Sequence, residues 1–295
     1  MGKTIRRIIV FALVVVIVQS VAVLALTPSG LERVFPIAVR LSAEKIKPES
    51  NTYAAYYNMR TCVSDADIVV VGVDYDVPET YGMLGHFTRF VKQYNNFSDV
   101  ALMLDNVQLS FAGMMFEQTG EDDYDYYLNK LTDSGIGKEY ASYMSELYFV
   151  NSTMSPNRKI SLTSCETLKN RPLVEQINEL SIVSERSMLC VVDSRELESD
   201  SSFRSELTEK LNGKKIVFVQ THYTKSCASA DTHTVYQFPF ESPSQVYFVS
   251  ADKLDGFYSY YAGVTDIFST NDNSDRLDKR YTDFFFVVTG GAEND

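Results

Sequence analysis

Histidine and cysteine are scarce in this chain, and each scarcity removes a class of chemistry. Only three histidines and four cysteines occur among 295 residues. The cysteines, Cys62, Cys165, Cys190 and Cys227, form no CxxC pair, so the ligand spacing of a zinc ribbon is missing. There is no GxGxxG, no P-loop and no GxSxG elbow, which removes the short signatures of dinucleotide sites, phosphate-cradling loops and α/β-hydrolase nucleophiles. No repeat and no low-complexity linker divides the chain. Basic residues are outnumbered, 27 against 39 acidic, for a formal net charge of −12. A surface of that sign repels phosphate backbones and argues against nucleic acid as a partner. The hydrophobic fraction of 45% excludes a disordered tail, and a single long apolar run excludes a multi-span membrane protein.

That one run extends from Ile8 to Leu26 and is interrupted only by Gln19 and Ser20. Lys3, Arg6 and Arg7 precede it, and Pro28 and Gly30 follow. As a helix it rises roughly 28 Å, close to the hydrocarbon thickness of a bilayer. The sequence thus predicts a basic cytoplasmic flank at residues 1–7, a transmembrane anchor at 8–26, a stalk at 27–49 and one extracytoplasmic domain at 50–295. The competing reading is a cleaved signal peptide, with Val23 and Ala25 as small residues near a cut. Signal cores run about 7–15 residues, and this run is longer. Both readings put the remainder outside the cytoplasm, because the basic flank stays inside. That side of the membrane permits disulfides, in three possible pairings of the four cysteines. Cys190 lies in an apolar run and reads as a buried free thiol.

Short apolar runs punctuate the domain at 67–72, 100–105, 159–163, 188–193, 215–220, 246–250 and 283–288. Most are continuously apolar rather than alternating, the pattern of strands buried on both faces. Between them, Tyr81, Leu84, Phe87, Val91 and Tyr94 recur at helical spacing, as do Leu173, Ile177 and Leu180. The acidic, tyrosine-rich stretch 111–150 has room for two helices broken near Gly135 and Gly137. Its Tyr124-Asp-Tyr-Tyr127 segment suits a sugar or peptide surface, or an amphipathic helix with half-buried rings. Val34 to Ile46 reads as a short helix. The fold class is therefore α/β, a mostly parallel sheet flanked by helices on both faces.

Ligands of parallel sheets bind beyond the carboxyl ends of the strands. Those ends deliver Asp74, Asp76 and Glu79 after the first strand, Asp105 after the second and Glu166 after the third. Asp193 follows the fourth, and the fifth ends at Gln220-Thr221-His222. Acids there commonly cap the next helix, and Asp76 and Asp193 stand well for that role. Taken together, though, crowded carboxylates need a cation or a histidine nearby. His222 is the candidate; His86 reads as a partly buried helix residue and His233 as a solvated loop residue. Asp74-x-Asp76 with Glu79 offers oxygen ligands without the twelve-residue calcium loop. No cofactor, metal or substrate is named by these patterns.

At the first strand and its helix the chain resembles the erythromycin esterase-like proteins, a family similar in fold to the haem-uptake-associated, Tiki-like group. The family pattern is a strand, Gly-Glu-x-x-His-Gly and a helix, then a strand ending in Glu and a later strand ending near His. Here Val71-Gly72-Val73-Asp74-Tyr75-Asp76-Val77 precedes a helix from Glu79 to Asn95, and Tyr281-Thr-Asp-Phe-Phe-Phe286 resembles the closing aromatic strand. The likeness spans 66–290 by order and spacing of elements. Only Gly72 of the first motif survives: Val73 stands for the glutamate and Asp76 for the histidine, while Asp105 stands for the second-strand glutamate and His222 near the later histidine. In the family, an acid–histidine set activates water for ester hydrolysis. Loss of the first histidine removes a base of near-neutral pKa. The resemblance therefore implies a ligand- or partner-binding module, with Asp74, Glu79, Glu166 and Asp193 at the ligand. The alternative is a divergent hydrolase with His222 as base, oriented by Asp105 or Asp76.

Overall fold

The computed structural model describes residues 44–46, 59–118, 121–165, 171–184, 187–197, 201–223, 246–250 and 283–288. Among them eight strands form one sheet: β1 (Glu44–Ile46), β2 (Ile68–Val73), β3 (Asp99–Leu102), β4 (Ser161–Ser164), β5 (Met188–Asp193), β6 (Ile216–Tyr223), β7 (Val246–Ser250) and β8 (Phe284–Val288). Their spatial order is β1-β7-β8-β6-β2-β5-β3-β4. Every pairing from β8 across to β4 is parallel, and β7 runs antiparallel to both β8 and β1. The helices are α1 (Glu79–Asn95), α2 (Asn106–Glu117), α3 (Glu121–Asp133), α4 (Lys138–Ser152), α5 (Leu173–Val183) and α6 (Phe203–Lys210).

All six residues of β2 are buried, as its unbroken apolar run requires. Period two sends Val69, Val71 and Val73 to one face, into a core shared with α1, α2, α3 and α4. Ile68 and Val70 face the other way, into a second core with Val174 and Ile177 of α5 and Phe203 and Leu207 of α6. The connections β2-α1-β3 and β3-β4 advance toward one edge over the first face. Those carrying α5 and α6 return over the second face. Opposite directions on opposite faces keep one crossover hand throughout. α1 contributes Leu84, Phe87 and Val91, and it stops where Asn96 turns left-handed at φ 55°. Lys92, fully buried near that end, donates to the Phe97 carbonyl and lies 5.2 Å from the Phe97 ring centroid, which ties α1 to the turn before β3.

Several expectations change. The stretch 111–150 holds parts of three helices rather than two. The break near Gly135 is present, at φ +100°, a value open to glycine at little cost, and Gly137 caps α4. A further break follows Gln118, whose extended backbone ends α2. Residues 44–46, expected in a helix, form β1 and pair with β7, so the presumed stalk lends a strand to the sheet. Partner strands supply backbone bonds that override a weak local helix pattern. In the Tyr124–Tyr127 segment of α3, Tyr124 is buried and Tyr126 exposed, as an amphipathic helix demands. Among the described residues no helix is long and apolar enough to cross a membrane. The proposed anchor at 8–26 lies outside the described residues.

At Gly72 the backbone of β2 is closely approached by side chains of the second face. A Cβ there would sit 2.9 Å from Leu197 Cδ1 and 3.3 Å from Gln220 Oε1, both on buried side chains. Gly72→Ala should therefore overpack the second core and lower stability by about 1–3 kcal/mol. Urea unfolding checks this; an unchanged midpoint would mean that Leu197 moves aside freely.

Candidate functional site

β5 is followed by α6 on the second face and β3 by α2 on the first, so the chain leaves these neighbouring strands in opposite directions. That divergence opens a crevice beyond the carboxyl ends of a parallel sheet. It is deepened because β3 stops at Leu102, its last pairing with β5 being Ala101 with Cys190, while β5 continues to Asp193. Tyr75 fills part of the step, its hydroxyl donating to the Val191 carbonyl at 3.0 Å.

The rim acids have local employment. Asp105 is the N-cap of α2: its Oδ1 accepts the backbone N–H of Val107 and of Gln108 at 2.8 Å each. Gln108 Oε1 accepts the Asp105 N–H at 3.0 Å, completing a capping box. Asp74 Oδ1 accepts the Asp76 N–H at 3.0 Å, a turn that re-aims the chain toward α1. Asp193 takes the Arg195 guanidinium in a fork, Nε to Oδ1 at 2.9 Å and Nη2 to Oδ2 at 2.8 Å. Glu196 beside it is raised above the usual carboxylate range by burial and by Asp193, against the opposing pull of Arg195. Asp76 is exposed; α1 has Pro78 at its N-cap without a side-chain cap, so the capping expected of Asp76 is not made there. Glu79, in the first turn of α1, keeps a buried Oε2 without a hydrogen-bond partner among the described residues. Glu166, His233 and Cys227 lie outside the described residues. Cys62, Cys165 and Cys190 form no disulfide among the described residues. A hydrogen bond with Cys165, and burial, hold the Cys190 thiol well above its ordinary pKa, so it is inert.

β6 departs most from the sequence reading. It carries Gln220, Thr221 and His222 inside the strand and runs to Tyr223, because β8 stays paired with it: Thr221 opposite Phe286, His222 opposite Val287, Tyr223 opposite Val288. His222 is consequently a strand residue with no exposed surface, not a rim loop residue. It shares the phase of Phe218 and faces the second core, whereas Asp105 caps a helix packed on the first. The sheet does not bring His222 and Asp105 together. The signal was the alternation Val217, Val219, Thr221, Tyr223, which continues past Gln220. His86, expected to be partly buried, is exposed. Gln220 and Thr221 are also fully or almost fully buried. Gln220 Nε2 donates to the Ser194 carbonyl at 3.2 Å. Gln220 Oε1 and Thr221 Oγ1 have no hydrogen-bond partner among the described residues.

A tyrosine shell, not anticipated from sequence, holds this rim. Tyr223 accepts the Asp74 N–H at 3.1 Å and meets Thr80 Oγ1 at 2.5 Å, while Thr80 donates to the Asp74 carbonyl at 2.9 Å. With Thr80 donating to Asp74, Tyr223 donates to Thr80, and the three groups close a ring between β6, the β2 loop and α1. Tyr81 donates to the Tyr75 carbonyl at 2.8 Å and stacks on Tyr140 at 5.1 Å. Burial, followed by the charges of Asp76, Glu139 and Asp74, raises the Tyr81 pKa.

No family model and no curated protein matches the chain. A solved structure of a Bacillus cereus protein is similar in fold, with TM-score 0.60 at 9% identity, covering 88% of this chain and 97% of that one. The type III effector HopBA1, at TM-score 0.37 and 9% identity, covers 85% of this chain and 98% of its own. A haem-bound ChaN of Campylobacter jejuni, at TM-score 0.34 and 14% identity, covers 57% of this chain and 86% of its own. The last two likenesses are too slight to carry fold or function, and the first shows the fold alone.

The capping geometry of Asp105 yields a test. Asp105→Ala should cost about 0.5–2 kcal/mol of stability, and Asp105→Asn, which keeps the cap oxygen, much less. Equal losses in chemical denaturation would point to a role of the charge beyond the helix end.

Proposed function

We propose that this chain is a membrane-anchored, extracytoplasmic module on an erythromycin esterase-like scaffold, binding a small polar ligand at the carboxyl rim of its sheet. The observation that carries the reading is the end of β6. Three consecutive polar residues, Gln220, Thr221 and His222, are buried where a central strand would gain by being apolar, and two of them keep polar atoms without partners among the described residues. An unsatisfied buried group costs about 1–3 kcal/mol. Such a cost is borne at sites where a ligand supplies the missing bond. Asp74, Asp76, Glu79 and Asp193, with Glu166, which follows β4 in the sequence, are assigned to the acidic approach and favour a ligand with donor or cationic groups. Asp105 belongs to this reading as a support for α2 beside the crevice.

Thr221→Val removes the hydroxyl at constant shape. If that group is kept for a ligand, the ligand-free protein should gain stability by about 1 kcal/mol, read from its urea midpoint. A loss of that size would make the hydroxyl structural. The hydrolase alternative has His222 as base, oriented by Asp76 or Asp105; Asp105 caps a helix on the other face of the sheet, which disfavours it. Chromogenic esters offered to the purified full chain should show no turnover above blank. Turnover that falls about 10²–10⁴-fold in His222→Ala would establish the hydrolase instead.

The anchor rests on the Arg-flanked apolar run and is tested separately. Protease added to intact cells should digest the region 50–295; full protection there would overturn the orientation.

A further inference from the structure

At the opposite edge of the sheet, where β3, β4 and β5 begin, a groove of about 300 Å³ opens between β4 and the end of α5. Its floor is polar and charged. Asp99 and Lys159 both line it, and no ion pair joins them among the described residues. Asp99 is held in place: its Oδ2 accepts the Ser98 hydroxyl at 2.5 Å and the Ser184 hydroxyl at 2.6 Å. Two hydroxyls on one oxygen fix the carboxylate and leave Oδ1 as an acceptor already oriented, which lowers the entropy a ligand must forfeit. Thr163, also in the lining, has a buried Oγ1 without a hydrogen-bond partner among the described residues. The far wall is apolar, made by Leu180, Val183 and Met188, and Val183 is 79% exposed.

A fixed anion, an unpaired cation and an apolar wall within one small groove match a molecule with the same three parts. We propose that this groove binds an α-amino acid or dipeptide with an apolar side chain. The ammonium pairs with Asp99 Oδ1, the carboxylate with Lys159, and the side chain lies on Leu180 and Met188. Thr163 Oγ1 supplies a bond to a carboxylate or peptide oxygen. The volume sits at the low end for ligand pockets, roughly 300–1,000 Å³, which suits one or two residues and excludes longer peptides. A zwitterion uses both charges in charge-assisted hydrogen bonds, whereas a neutral polyol would use neither. This site is independent of the β6 rim.

Calorimetric titration of the purified full chain tests it, with L-leucine, L-leucyl-L-leucine, N-acetyl-L-leucine and L-leucinamide as probes. Saturable binding is expected for leucine or for dileucine, and the tighter of the two identifies the source. The acetyl and amide derivatives, each lacking one charge, should bind at least about tenfold more weakly. Asp99→Asn should weaken the zwitterions about tenfold and leave N-acetyl-L-leucine unchanged, and Lys159→Met should weaken leucine but not leucinamide. Should Asp99→Asn fail to fold, Lys159→Met, on an exposed side chain, still carries the comparison. Absence of saturable binding by both zwitterions up to about 1 mM, equal binding of the blocked derivatives, or wild-type affinity in both variants would each overturn the proposal.

Discussion

β2 has to be apolar on both faces, and most of the architecture follows from that. It sits between β5 and β6, is paired along its length to both, and exposes almost nothing. Each fully buried Val or Ile contributes about 1.5–3 kcal/mol, but only if something covers it. Covering both faces requires two helical layers, and the two separate cores on either side of the strand are the result. Two layers in turn require crossovers that leave the sheet on opposite faces. The crevice between β5 and β3 is therefore a by-product of burying β2.

Against that constraint the end of β6 stands out. Its first half obeys the rule, with Val217 and Val219 in one core and Phe218 in the other. Its second half puts an amide, a hydroxyl and an imidazole into equally dry positions. Tyr223 then restores the apolar phase while its hydroxyl fastens the β2 loop and the start of α1. Local rules fail at functional or strained positions, and here the failure is confined to three residues held rigidly from both ends. Rigid supports of this kind keep polar groups aimed at a ligand without reorganisation.

The acidic character of the chain has less to do with chemistry than its net charge suggests. Asp105 and Asp74 each accept backbone N–H groups at Oδ1, and Asp193 takes a neighbouring guanidinium. Such bonds set the directions in which α1, α2 and the turn after β5 leave the sheet. By contrast, Asp99 at the opposite end of the strands is fixed by two serines at Oδ2 and lines a groove together with Lys159. Whether an acid shapes the fold or serves a ligand is decided by which donors reach it first.

Much of the scaffold was legible from residues alone. The apolar runs at 188–193, 246–250 and 283–288 coincide with β5, β7 and β8, or miss by one residue, and α1 spans Glu79–Asn95 as its stripe required. The break at Gly135 and the capping propensity of Asp105 were equally readable, because turns and caps are made by residues close in sequence. Tertiary structure alone decided that β1 joins the sheet and that β7 reverses direction. It also decided that His222 faces away from Asp105, that five tyrosine and threonine side chains lock the rim, and that Asp99 and Lys159 line one groove. Periodicity and turn chemistry are written in neighbouring residues. Where a strand stops and which face a side chain meets depend on partners brought together from across the chain.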